Sequence, residues 1–129
     1  MVFMNAQKVI KKYLAGLEQG SANNMLELFS SDGIVHSPLY KTISAKKFYQ
    51  ELFSVTKQSK ITLLNIFVND DDSLVAAGHF RYDWVLKDGT PDSFECVDVF
   101  KFSSDYKIEE MTIIYDTHKI RAAHEKLKN

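Results

Sequence analysis

The chain has 129 residues, an apolar fraction of 45%, a charged fraction of 26% and a formal net charge of −1. That length suits one domain with a full hydrophobic core, and the near-neutral charge excludes the electrostatic footprint of a nucleic-acid or anionic-membrane binder. Cys96 is the single cysteine, so no internal disulfide exists and a reducing compartment fits.

From about Asn5 to Gln19, Ala6, Val9, Ile10, Tyr13, Leu14 and Leu17 recur at helical spacing and predict one broad buried stripe. Lys8, Lys11 and Lys12 interrupt any leader-like apolar run there, and no run approaches a membrane span, so a cytoplasmic protein is expected. Gly20 stops the helix and Ser21 can cap the next, over about Ala22 to Phe29. Ser30-Ser31-Asp32-Gly33 reads as a turn, followed by a short strand Ile34–Ser37 that ends at Pro38. Ser44 can cap a third helix, roughly Ala45 to Val55, with Phe48, Leu52, Tyr49 and Phe53 as its inward candidates. Beyond Lys57–Lys60 the period becomes extended. Strands are expected at Ile61–Val68, Leu74–Leu86, Ser93–Phe102 and Ile108–Asp116, separated by turn-forming stretches. Ile120, Ala123 and Leu127 then predict a short closing helix. Helices first and hairpin-linked strands afterwards describe an α+β fold with a curved, mainly antiparallel sheet.

Alternation places Phe94, Cys96, Asp98, Phe100 and Phe102 on one strand face. An acid among apolar neighbours must find partners or stay protonated, because an unpaired buried carboxylate is too costly. Phe80, Tyr82 and Trp84 share a face of the preceding strand, and Met111, Ile113 and Tyr115 a face of the last. Together these side chains form either a bulky core or an aromatic-lined cavity. The opposite faces carry Val85, Val97, Val99 and Ile114 among charged residues. A half-apolar sheet back of that kind predicts a homodimer through it.

The element order resembles the nuclear transport factor 2-like superfamily, closest to its SnoaL-like and ketosteroid isomerase-like small-molecule branch. The resemblance spans almost the whole chain and rests on Lys12-Tyr13-Leu14-Ala15, Leu28-Phe29 with Asp32-Gly33, Val97-Asp98-Val99-Phe100, and Tyr115-Asp116-Thr117 with Arg121. It implies a cone-shaped, cystatin-like roll whose sheet wraps three N-terminal helices around an apolar pocket, often in a dimer. It also implies that Tyr13 and Asp98 match the pair that donates hydrogen bonds to a substrate oxyanion. The isomerase's base, an aspartate immediately before proline, is replaced by Ser37, which cannot take an enol-forming proton unaided. The usual ketosteroid isomerase mechanism is therefore not expected.

Catalytic candidates are thus Tyr13 and Asp98, with His36 and His118 as sources of a base. Ser37, Phe29, Phe48, Phe80, Tyr82, Trp84, Phe100, Met111, Ile113 and Tyr115 are the candidate ligand contacts. Three functions stay open: an isomerase, cyclase or dehydratase acting on an apolar carbonyl compound; a pocket protein that binds such a molecule without chemistry; and a protein-interaction module. A Tyr13–Asp98 bond that merely satisfies two buried polar groups fits the sequence equally. The histidines show no metal-ligand spacing, Asp70-Asp71-Asp72 lacks the pattern of a calcium loop, and no glycine-rich phosphate loop occurs, so no metal or cofactor is expected.

Overall fold

A computed structural model describes residues 4–128, with the backbone alone at residues 119, 120 and 128. In chain order its elements are α1 (Ala6–Gln19), α2 (Ala22–Leu26), β1 (Phe29–Ser37), β2 (Lys41–Ser44), α3 (Ala45–Ser54), β3 (Thr56–Val68), β4 (Val75–Leu86), β5 (Pro91–Phe102), β6 (Ile108–Ile114) and α4 (His118–Lys128). The six strands form one open, curved sheet in the order β2-β1-β6-β5-β4-β3. Every neighbouring pair is antiparallel except β1 with β6. Helices α1 to α3 cover the concave face, as helix-first α+β patterning predicts.

Ser21 and Ser44 cap where the sequence places them, and the structure adds Asn5 as the cap of α1. Asn5 and Ser44 accept backbone N–H bonds from Lys8 and Lys47 at 2.9 and 3.2 Å, and Ser21 accepts from Asn24 at 3.3 Å. Gly20 ends α1 in the left-handed region at φ 72°, where only glycine sits without steric cost.

Strand β5 begins two residues earlier than expected, at Pro91, and β6 ends two residues earlier, at Ile114; four larger differences from the sequence expectation have clear causes. The second helix stops at Leu26 instead of reaching Phe29, because the Leu28 carbonyl accepts from Ile108 N–H at 2.9 Å and Phe29 pairs with Ile108. The sheet thus captures the segment before another helical turn can form. Ser30–Gly33, expected as a turn, lies inside β1 as an irregularity between Phe29 and Ile34. A Cβ on Gly33 would lie 3.1 Å from the carbonyl oxygens of both Ile108 and Ser30, so glycine permits this close approach. Lys57–Lys60 is the start of β3, held by pairing such as Ser59 with Trp84. Strand β2, only four residues long, carries no sequence alternation that would reveal it.

Strict alternation does hold along β4, where Ala76, Gly78, Phe80, Tyr82, Trp84 and Leu86 are buried and their neighbours are not. The core joins this face to Val9, Ile10, Tyr13 and Leu14 of α1, Phe48 and Tyr49 of α3, and Phe100 and Met111 of the sheet. Each fully buried side chain of that size contributes about 1.5–3 kcal/mol. Gly78 sets the helix position: a Cβ there would come within 3.0 Å of the Ile10 side chain. Helix α1 therefore rests directly on β4. Ala123, His124 and Leu127 of α4 pack on the same core, whereas the side chain of Ile120 lies outside the described residues.

Candidate active site

The approach of Ile10 to Gly78 has a consequence one helical turn later. Gly78 pairs with Asp98 on β5, and Tyr13, three residues after Ile10, is brought over that position. Tyr13 and Asp98 are each 1% exposed. The Tyr49 hydroxyl donates to the Tyr13 hydroxyl at 2.7 Å, and the Cys96 thiol donates to Asp98 Oδ1 at 3.2 Å. Burial pushes the Asp98 carboxyl up to about 7, opposed by hydrogen bonds from Cys96 and Tyr13 to its ionised form. Burial also pushes the hydroxyls of Tyr13 and Tyr49 well above their usual range, so both remain donors. Near neutrality, then, the floor holds two phenols and a carboxyl group that is readily protonated.

Above this floor lies a mostly apolar pocket lined by Tyr13, Leu17, Ser37, Leu39, Tyr40, Phe48, Leu52, Phe80, Tyr82, Trp84, Phe94, Cys96, Asp98, Ile113 and Tyr115. Its cavity volume is about 40 Å³, room for a few water molecules. A larger guest requires side chains to move. The stacked Phe94 and Tyr115 rings, 4.5 Å apart, form part of the wall. Two further hydroxyls have defined partners. Tyr82 meets Ser59 at 3.3 Å, and Tyr40 meets His124 Nε2 at 2.6 Å. Burial raises Tyr82, Tyr40 and Tyr115 above the usual tyrosine range.

Of the sequence candidates, Tyr13, Asp98, Ser37, Phe48, Phe80, Tyr82, Trp84, Ile113 and Tyr115 converge on this one cavity. Phe29, Phe100 and Met111 are buried but do not line it. They back the tyrosine pair instead: Phe100 packs edge-on against Tyr13 at 5.1 Å, Phe29 lies 5.7 Å from Tyr49, and Met111 Sδ lies 3.9 Å from the Tyr49 hydroxyl oxygen. Ser37 Oγ is occupied by the backbone N–H groups of Leu39 and Tyr40 at 3.1 and 3.3 Å, which leaves it a turn-former. His36 points to the opposite face of the sheet, between Thr42 and Glu110 at 2.8 and 2.6 Å, so it does not serve the pocket. His118 is exposed in a separate hollow with Asp92, Ser93, Phe94 and Asp116. Neither histidine candidate reaches the cavity.

Sequence reading missed Tyr40, Leu39 and His124. Tyr40 follows Pro38 in a segment with no periodicity. His124 had a legible signal, because positions 120, 123, 124 and 127 form one helical stripe and a polar residue within it is unusual. Among the described residues no group of three or more histidine, cysteine or acidic side chains is placed to hold a metal. No described helix is long and apolar enough to cross a membrane.

Solved structures share this architecture. A Catenulispora acidiphila protein described as having a ketosteroid isomerase-like fold, in complex with trimethylamine, aligns with TM-score 0.76 and 13% identity over 89% of this chain and 90% of its own. SalBIII, described as an epoxide hydrolase/cyclase-like enzyme of pyran ring formation, aligns with TM-score 0.74 and 13% identity over 85% and 89%. An Exiguobacterium protein described as NTF2-like and of unknown function aligns with TM-score 0.71 and 13% identity over 84% and 98%. A search of curated protein sequences gives no match. A curved sheet wrapped over three helices with an apolar pocket between them defines the nuclear transport factor 2-like fold. Within that class, the family model for the SnoaL-like domain matches residues 10–111, and the chain belongs to that family.

Proposed function

We propose that the pocket takes a small apolar molecule bearing a carbonyl, and that Tyr13 and Asp98 polarise that carbonyl for isomerisation, cyclisation or dehydration. The observation that carries this is the donor set at the floor: Tyr49 donates to Tyr13, and the carboxyl group of Asp98 sits beside it under apolar walls. Hydrogen-bond donors fixed in a dry site stabilise a developing oxyanion more than water does, because they need no reorganisation when the charge forms. Because Tyr49 donates to the Tyr13 oxygen, the Tyr13 proton is the one directed at Asp98, and an acceptor placed beside that carboxyl group can take it over. Membership of the SnoaL-like family and the cyclase-like relative with the same fold support a small-molecule enzyme.

The test uses 4-nitrophenol, whose ionisation is visible in its absorption. Wild-type protein should bind it and favour the phenolate, and Tyr13→Phe and Asp98→Asn should each weaken binding roughly 10- to 100-fold, the cost of losing one strong buried donor. Equal affinity in all three proteins would remove the oxyanion role. A pocket that binds without chemistry predicts the same affinities but no turnover of any enolisable ketone.

We also propose a homodimer through the convex side of the sheet. Phe67 and Ile114 are 58% and 53% exposed there, and Ala77, Val97 and Val99 lie between them across the paired strands. Phe67→Asp should convert a dimer into a monomer in sedimentation at micromolar concentration, and a wild-type monomer under those conditions would end this proposal.

A further inference from the structure

The floor supplies donors, and Ser37 Oγ is already committed to two backbone N–H groups. Besides the Tyr82–Ser59 contact, a polar contact of the wall joins two distant parts of the chain. Tyr40 belongs to the turn between β1 and β2 that Ser37 holds, and it lines the cavity. His124 belongs to α4, is 1% exposed, and places Nε2 2.6 Å from the Tyr40 hydroxyl. Their rings meet edge to face at 4.9 Å, and Phe48 fixes the Tyr40 ring from another side at 5.5 Å. Arg121, on the same helix, donates to the Pro38 carbonyl at 3.4 Å and ties α4 to that turn. A buried histidine is thereby held against a pocket tyrosine by contacts from three elements.

We infer that Tyr40 and His124 form a proton relay that serves as the base of this pocket, acting on an enolisable ketone whose oxygen faces Tyr13 and Asp98. This rests on the carbonyl-polarising reading above and adds the missing partner to it. The step balances within the site. The electron pair of the substrate's α C–H bond forms the enolate double bond, and the carbonyl oxygen gains the charge that the floor donors receive. The α-proton passes to the Tyr40 oxygen while the Tyr40 proton passes to His124 Nε2, giving an imidazolium. Return of a proton to a different carbon completes an isomerisation. The surroundings favour a relay over a free phenolate, because burial and the Glu51 charge hold Tyr40 protonated. The geometry also explains why a histidine stands in the apolar stripe of α4. Tyr40 is the group that would touch substrate; His124 acts through it.

The probe is 2-tetralone in heavy water, with loss of its α-hydrogen signals followed by proton NMR. Wild-type protein should accelerate the exchange. Tyr40→Phe and His124→Gln should each lower kcat at least tenfold with KM within about twofold, because the ketone is held by the floor. The double variant should be no slower than the worse single one, since two members of one relay fail together. Circular dichroism and 4-nitrophenol binding should be retained in all three. Exchange at wild-type rate in both single variants would overturn the relay, as would additive losses, or a wild-type protein that binds 4-nitrophenol yet exchanges nothing. Failure of wild-type protein to bind 4-nitrophenol would instead overturn the carbonyl-polarising reading.

Discussion

The two faces of the sheet carry similar groups and treat them in opposite ways. Asp98 and Asp83 lie on adjacent strands, β5 and β4. Asp98 faces the helices, and burial pushes its carboxyl up to about 7. Asp83 faces outward, where bonds from Ser93 and Arg81 hold it below the ordinary carboxylate range. The same contrast holds for histidines: His124–Tyr40 and His79–Glu95 bonds are 2.6 and 2.7 Å long, yet one is buried and the other is not. Distance alone does not distinguish the two settings. Desolvation does, and for the two aspartates it follows from the parity of a strand position.

The largest expected effect lies in the pH dependence of stability. Unfolded Asp98 loses its proton near pH 4, whereas folded Asp98 keeps it to about 7. Between those values the folded state binds the extra proton, so stability falls as pH rises, by about 4 kcal/mol in total. The contribution is fully present below pH 4 and lost above 7. Urea denaturation at pH 5 and pH 8 should show about 3 kcal/mol of this fall in wild-type protein and none of it in Asp98→Asn. Equal slopes in the two proteins would mean that Asp98 is ionised in the fold and that the faces differ less than proposed. Asp83→Asn keeps Asp98 and should therefore show the wild-type fall.

A smaller effect tests what holds the concave face in place. Gly78→Ala puts a methyl against Ile10 at 3.0 Å, so α1 must lift or Ile10 must turn. Overpacking of this kind costs about 1–3 kcal/mol. Tyr13 rides on the same helix, so 4-nitrophenol affinity should fall along with the denaturation midpoint. Loss of stability with unchanged affinity would show that Tyr13 reaches Asp98 independently of helix height.

How much of this was legible depended on periodicity. The concave set on β4 and β5 follows from alternation alone, and the cap residues Ser21 and Ser44 follow from local chemistry. The Tyr13–Asp98 pairing needed the family resemblance, since nothing within one strand specifies which helix covers it. Three kinds of information were missing. The turn residues Ser30–Gly33 sit in a strand because a neighbouring strand outcompetes their local preference. Tyr40 lies where no period exists to read. His36 was placed on the outer face by parity, and proximity to Ser37 in sequence gave it no route inward. The polar half of the site was therefore less readable than the apolar half: apolar faces repeat, whereas hydrogen-bond partners are chosen one at a time by tertiary structure.

The smallest effect belongs on the convex face. His79 bridges Asn65 and Glu95 at 3.2 and 2.7 Å, and the Glu95 side chain is 63% exposed. A polar contact in that setting gains little, because water solvates both partners as well when they separate. His79→Asn should change the unfolding free energy by less than about 1 kcal/mol, read from the same urea curves. It should leave 2-tetralone exchange and 4-nitrophenol binding untouched. The comparison with His124→Gln is the informative one, because both substitutions remove a histidine bond of nearly equal length. If the outer histidine mattered as much as the inner one, bond geometry would govern these sites. If only His124 matters, the low-dielectric pocket does, and the chemistry resides on one side of the sheet.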